Sequence, residues 1–333
     1  MKALVGTAGW AIPAPARDRF GEGASGLELY ATQFDCVEIN SSFHRRHRAD
    51  TWQRWAQSVP EHFQFSLKLP KAITHQRRLE QCDDLLAEFA DDTLGLGSKR
   101  AVILVQLPPK LAFDRTVAIS FFTSLQAAVG AQIVCEPRHP SWFESEADAL
   151  LGDHRIARVA ADPAPVPGAE RPGGSLHLGY WRLHGSPHIY RSSYEAERLV
   201  AYADEMRAFA APCWCIFDNT ASSAATDNAL AMSTSGGDPG FWRPLVPEPV
   251  AQGASLPGAR RHRCRSANPT QVARSPWTLP TLREAPSPNR STIAPMSGSS
   301  SQAITPIRRD LDCAADTMKA RRADRAKCHH ADG

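Results

Sequence analysis

Residues 101–106 read AVILVQ, and the next three are LPP. A short apolar run rich in β-branched side chains favours extended backbone, and the prolines behind it cannot donate to a ladder and so end the strand. No polar residue alternates with the apolar ones, so both faces of this strand are covered, as in a parallel sheet flanked by helices. The run stops on a polar side chain, Gln106. The same grammar recurs on either side: FQFSLK at 63–68 ends in Lys68, and QIVCE at 132–136 ends in Glu136. Carried along the chain it predicts strands over 3–7, 36–40, 63–68, 101–106, 132–136, 156–160, 180–184 and 213–217, with helical stretches between most of them. A helix is expected over 79–94, with Leu85, Leu86 and Phe89 on one face. Ser192 and Glu195 are spaced as a capping box for a helix that buries Leu199, Ala203, Met206 and Phe209, and Ser145 precedes a helix with Glu146 and Asp148 in its first turn. The segment PAPVPGAERPGG after the sixth strand reads as an excursion without a helix.

Eight parallel strands close naturally into a (β/α)8 barrel of the TIM type, whereas an open doubly wound sheet usually has fewer, and neither GxGxxG nor GxxxxGK[ST] is present. The expected fold class is therefore an α/β TIM-like barrel over residues 1–233, with no nucleotide-cofactor motif.

Composition divides the chain near residue 233. Residues 234–333 carry 15 Lys and Arg against 8 Asp and Glu and hold 12 of the 26 prolines, which leaves the first 233 residues with 23 basic against 27 acidic side chains. The tail has no sustained apolar period, so it is expected to be a disordered basic arm or a frameshifted extension, since Arg, Pro, Ala and Ser are what out-of-frame reading of GC-rich DNA yields. Its arginines define no helical face and its aromatics are few, so nucleic acid is not the expected partner. Cys328, His329 and His330 near the end lack a preorganised geometry for a metal. No apolar run is long enough to span a membrane, the amino terminus MKALVGTAGW has no signal-peptide pattern, and none of the eight cysteines forms a CxxC pair. The expectation is a cytoplasmic protein without a membrane partner, a disulfide framework or a zinc cage.

In a barrel the reactive face lies at the carboxyl ends of the strands. The polar residues there are Thr7 and Trp10 after the first strand, Glu38 and Asn40 at the second, Lys68 at the third, and Glu136, Arg138 and Trp142 at the fifth. Asp162 follows the sixth, Arg182 and His184 end the seventh, and Asp218 and Asn219 follow the eighth. Of these, Glu38, Lys68, Glu136, Arg138 and His184 are the candidate catalytic groups. Thr7, Trp10, Asn40, Trp142, Asp162, Arg182 and Asn219 are the candidate substrate-binding groups. Glu38, Asn40, Lys68, Glu136, Arg138, Asp162, Arg182 and His184 are expected to converge on one pocket for a small molecule at the carboxyl end of the barrel.

Several chemistries compete for this set. Barrel glycosidases commonly place their carboxylates after strands four and seven, where this chain has Gln106 and His184. No GxSxG elbow surrounds Ser41 or Ser42. Glu38, Glu136, His139, Asp162 and His184 are ligand types that suit a divalent metal. Without a metal, Lys68, Arg138, Arg182 and His184 suit an anion, with Trp10, Phe43 and Trp142 as apolar walls. The remaining readings are a non-catalytic binding protein and a structural network of ion pairs with no active site.

The blocks VGTAGW, FDCVEINSSFHR, FQFSLKLPKAITH, VILVQLPP, VCEPRHPSWF, YWRLHG and IFDNTASSAATDNAL, in this order across residues 1–233, resemble those of the domain-of-unknown-function 72 family, also called YecE-like. The resemblance implies a TIM-like barrel and brings no settled activity, so a hydrolase or isomerase acting on a phosphorylated or sugar-like substrate is the expectation taken from the strand ends alone. Two departures stand out: an asparagine pair common in the family's last strand reads Asp218 and Asn219, and family members usually end soon after the block at Asn228.

Overall fold

The computed structural model describes residues 3–234. The basic tail expected over 234–333 lies, apart from Thr234, outside the described residues. The strands, in chain order, are β1 (Ala3–Thr7), β2 (Cys36–Ile39), β3 (Gln64–Lys68), β4 (Arg100–Gln106), β5 (Gln132–Glu136), β6 (Ala157–Arg158), β7 (Ala160–Asp162), β8 (Gly173–Gly174), β9 (Gly179–Leu183) and β10 (Cys213–Phe217). All but β8 build one ring. β2, β3, β4, β5 and β6 pair in parallel in that order, as do β7, β9, β10 and β1. β6 and β7 are two halves of the sixth barrel strand: its start bonds β5, its end bonds β9, and Val159 between them donates to the Cys135 carbonyl at 2.9 Å. Such a handover is what strand stagger in a closed barrel requires. The short β8 lies antiparallel on β6 within the helix-free excursion after the sixth strand.

The ring closes between β1 and β2, with little ladder. One parallel bridge joins Ala8 to Glu38, and Gly9 donates to the Glu38 carbonyl at 2.8 Å. Below it a side chain takes the place of the missing ladder. Tyr30, at the end of α1 (Gly26–Tyr30), accepts from the Thr7 N–H at 2.8 Å and donates to the Cys36 carbonyl at 3.0 Å. Gly6 permits the close approach, because a Cβ there would stand 2.3 Å from the Cys36 carbonyl oxygen. Tyr30→Phe would take the acceptor from the buried Thr7 N–H and a donor from the Cys36 carbonyl, so we expect a loss of about 1–3 kcal/mol, read as a lower urea midpoint with an unchanged m-value.

Strand parity sorts the core into two. Leu4, Cys36, Val102, Leu104, Val134, Ala157, Val159, Tyr180, Trp214 and Ile216 form a cluster inside the barrel. Their neighbours at odd offset, such as Val5, Val37, Ile103, Ile133, Trp181 and Cys215, pack outward under the helices. Those helices are α2 (Ser41–His44), α3 (Ala49–Gln57), α4 (Asp83–Thr93), α5 (Arg115–Val129), α6 (Ser145–Asp153), α7 (Ala196–Ala208) and α8 (Ala224–Thr234). α5 shows how locally they are specified: Asp114 caps its first turn by accepting from Val117, and Gly130 ends it at φ +55°. α6 carries Glu146 and Asp148 in its first turn as expected.

Two helix expectations need correction. The helix expected from residue 79 begins at Asp83, because Arg78, Leu79 and Gln81 take positive φ values that no right-handed helix admits. The capping box of Ser192 and Glu195 does not form: Glu195 itself precedes α7, and the Ser192 hydroxyl accepts from the His188 N–H at 3.0 Å.

Candidate active site at the barrel mouth

The inward-facing residues change character along the barrel axis. Apolar side chains fill the lower layers, and from the level of Tyr180 upward the same parity delivers Glu38, Ser66, Lys68, Gln106, Glu136, Arg182, His184 and Asp218. Each is two residues further along its strand than an interior position or ends that strand, which is why one end of the barrel is charged.

Arg182 organises the cluster. Its Nε donates to Glu38 Oε2 at 3.0 Å and its Nη2 to Glu38 Oε1 at 2.7 Å, a two-point grip. Nη2 also reaches Asp218 Oδ2 at 2.9 Å, and Nη1 binds Glu136. Arg182 and Glu38 are both 0% exposed, so this is a sealed ion pair in the barrel and not a free cationic donor. The Tyr180 hydroxyl holds it from below, 2.9 Å from Glu38 Oε2 and 2.8 Å from Ser66 Oγ. Burial opposes the charge on Arg182, but Glu136, Glu38 and Asp218 outweigh it and raise its pKa well above the ordinary value. Burial likewise works against Glu136, yet Arg182, His184 and Arg138 hold its carboxyl well below the usual range, and Asp218 is lowered by Arg182 and His184 in the same way.

A second tier sits above this pair. His184 lies between two carboxylates, with Nδ1 3.1 Å from Asp218 Oδ2 and Nε2 3.4 Å from Glu136 Oε1, the latter without hydrogen-bonding alignment. Burial and Arg182 disfavour its charge, but the two carboxylates win and its pKa is raised. Glu136 Oε1 also accepts from Arg138 at 3.1 Å and from Gln106 at 3.2 Å. Lys68 differs from every other cation here. Its Nζ stands 4.3 Å over the Phe43 ring and makes no ion pair among the described residues. Burial and the Arg182 charge bring its pKa down to about 8 against the pull of Glu38, Glu136 and Asp218. His75, whose ring packs 5.0 Å from that of Phe43, is lowered by burial and by the charges of Lys68 and Arg138, so these three groups share the rim.

Glu38, Lys68, Glu136, Arg138, Arg182 and His184 therefore come together as expected, joined by Asp218 and Gln106. Asn40 stands at the N-terminal boundary of α2 directly after β2 without capping it, its Oδ1 buried and, among the described residues, unpartnered. The other expected binding residues do not join them. Thr7 has outward parity and bonds Gly9 and Tyr30 at the β1–β2 seam. Trp142 is a core side chain, 1% exposed, that donates to the Leu111 carbonyl at 3.0 Å and packs on Phe113. Trp10 packs edge-on against Trp55 of α3 at 5.1 Å. Asn219 faces outward and ties the eighth strand to the Ser192 carbonyl and to Asn228, each at 2.9 Å. Asp162 lines a separate cavity of about 680 Å3 on the α7 side, with Ser186, Ser193, Glu195 and Arg198. The metal reading fails on the donor set: Glu38 and Glu136 are engaged by Arg182, and His139 caps the turn at Pro140 through Ser141. Among the described residues no three His, Cys, Asp or Glu side chains are grouped to hold an ion.

The ring of eight strands is matched by comparison with known proteins. The family model described as "Protein of unknown function DUF72" matches residues 4–248, past the boundary expected at 233. The chain belongs to this family. The UPF0759 protein YecE of Escherichia coli K12 is 32% identical over 150 residues, which cover 43% of this chain and 54% of that one, so the match spans about half the length of that relative. The UPF0759 protein YunF of Bacillus subtilis is 25% identical over 241 residues, covering 62% and 84%. Crystal structures of DUF72 proteins from Enterococcus faecalis and Thermotoga maritima share the fold, with TM-scores of 0.59 and 0.58 at 18% and 21% identity, over 70% of this chain and 94% and 98% of theirs. As in its sequence, no helix among the described residues of this DUF72 protein is long and apolar enough to cross a membrane.

Proposed function

We propose that the barrel mouth binds a small anionic molecule, phosphorylated or sugar-like, and is the acid–base centre of a hydrolase or isomerase. The observation that carries this reading is Lys68: a mostly buried ammonium beside three carboxylates, all of which are bound to Arg182 instead. An unpaired cation in such a place costs folding free energy, and a cost of that kind at a barrel mouth is the signature of a functional group. Lys68 and Arg138 supply the charge that meets the ligand, and Arg138, with a side chain 27% exposed, is open to it. A lysine titrating near 8 exchanges its proton close to neutral pH, and His184 is the second group able to pass one. Glu38 serves in this reading to fix Arg182, and Arg182 to fix Glu136 and Asp218.

A second reading, a purely structural charge network, is favoured by one feature, the complete burial of Arg182 and Glu38. Calorimetric titration with sugar phosphates separates the two. Binding is expected, and Arg138→Gln should weaken it about tenfold, the worth of one charge-assisted contact. No binding by any member of a sugar-phosphate panel would leave the structural network standing, and binding without turnover would reduce the site to a non-catalytic receptor.

A further inference from the structure

A cavity of about 190 Å3 opens between α2, the turn after β3 and α4. Phe43, Trp52, Pro70, Leu85 and Phe89 give it mostly apolar walls. Phe43 is also the ring beneath the Lys68 ammonium, so one side chain borders both this slot and the cationic rim of the mouth. Trp52, on the inner wall, is 1% exposed, and among the described residues its buried indole Nε1 has no acceptor. Around the entrance Arg46 is held by Glu88 and by Asp92 at 2.8 Å, whereas Arg45 and Lys71 are exposed and make no ion pair among the described residues. The volume is that of one six-membered ring with little to spare, since an apolar cavity of about 150 Å3 already holds benzene.

We infer that this slot is a ring subsite: the ligand whose anionic group meets Lys68 and Arg138 carries an apolar or aromatic ring that seats between Phe43, Leu85 and Phe89. This rests on the anion reading of the mouth and narrows it from any phosphorylated compound to a ring-bearing one. Apolar burial in a preformed slot adds affinity without adding charge, so it is measured by a pair of ligands that differ in the ring alone.

Phenylphosphonate and methylphosphonate are such a pair, titrated calorimetrically into the full chain and two variants. Phenylphosphonate should bind about tenfold or more tighter than methylphosphonate. Lys68→Met should weaken both. Leu85→Trp, which fills the slot from the half-buried face of α4, should bring phenylphosphonate down to the methylphosphonate level and leave methylphosphonate unchanged, which also reports that the variant is folded. Equal affinity of the two ligands in the wild type, or a ring advantage that survives Leu85→Trp, overturns the subsite while the anion reading stands. Failure of methylphosphonate to bind the wild type overturns the anion reading, and the ring subsite falls with it.

Discussion

Arg182→Met is expected to destabilise the protein by at least about 3–5 kcal/mol at neutral pH, the usual cost of removing one partner from a buried ion pair, out of a total of about 5–15 kcal/mol. One substitution leaves Glu38, Glu136 and Asp218 without their shared cation, the two glutamates in a space almost closed to water. For a barrel of this size the melting temperature should drop by roughly 6–20 °C, measured by calorimetry at pH 7. The pH dependence has a definite sign. Glu136 and Asp218 have lowered pKa values in the folded protein, so their contribution is complete above the ordinary carboxylate values of 4.5 and 3.8 and is lost only as pH falls through the lower folded ones. Without Arg182 that advantage is gone, and protonation at acid pH relieves the stranded charges. The gap between variant and wild type should therefore be widest near pH 7, narrow as pH falls toward 4.5, and close only as pH drops through the lowered folded values of Glu136 and Asp218. A variant melting within a degree or two of the wild type at pH 7 would show that the network is not structural.

Lys68→Met should act in the opposite direction on stability and abolish most of the anion binding. The folded pKa of Lys68, about 8, lies below its ordinary 10.5, so the wild type carries a penalty that is present in full below pH 8 and disappears as pH rises to 10.5. A tenfold change in proton affinity between the folded and unfolded chain corresponds to about 1.4 kcal/mol. Allowing for the part of the side chain that meets solvent and for the lost contact with Phe43, a gain of about 1–2 kcal/mol is expected near neutral pH. The gain should be absent at pH 10.5. Binding of sugar phosphates should weaken at least about tenfold at pH 7 and fall off in the wild type as pH passes 8. Greater stability paired with lost binding is the expected trade at a site kept under electrostatic strain. A variant that is less stable at pH 7, or that keeps the wild-type affinity, contradicts the role given to Lys68.

The alternation of short apolar runs with helices, and the polar residues that end those runs, were legible along the chain because strand and helix formation and chain breaking are local properties. Gln106, Glu136 and Lys68 each end a run, and each is at the barrel mouth. What the sequence could not show was which side of a strand faces inward. In an antiparallel sheet with one wet face, alternation of polar and apolar residues reveals parity, but a barrel strand is buried on both faces, so ALVGT or CWCIF carries no such mark. That is why Thr7 and Asn219, which end strands just as Arg182 does, were equally good candidates, and why Tyr180, two residues before Arg182 on the same inward face, gave no signal. Once the ring closed, parity put Thr7 at the seam, Asp162 beside α7 and Asn219 against Asn228, and it sent Glu38 and Arg182 inward to each other. The identity of the charges was written in the sequence. Their pairing was decided by closure of the barrel, which brings residues 38, 136, 182 and 218 within hydrogen-bonding reach and leaves Lys68, among the described residues of the mouth, as the cation without a carboxylate of its own.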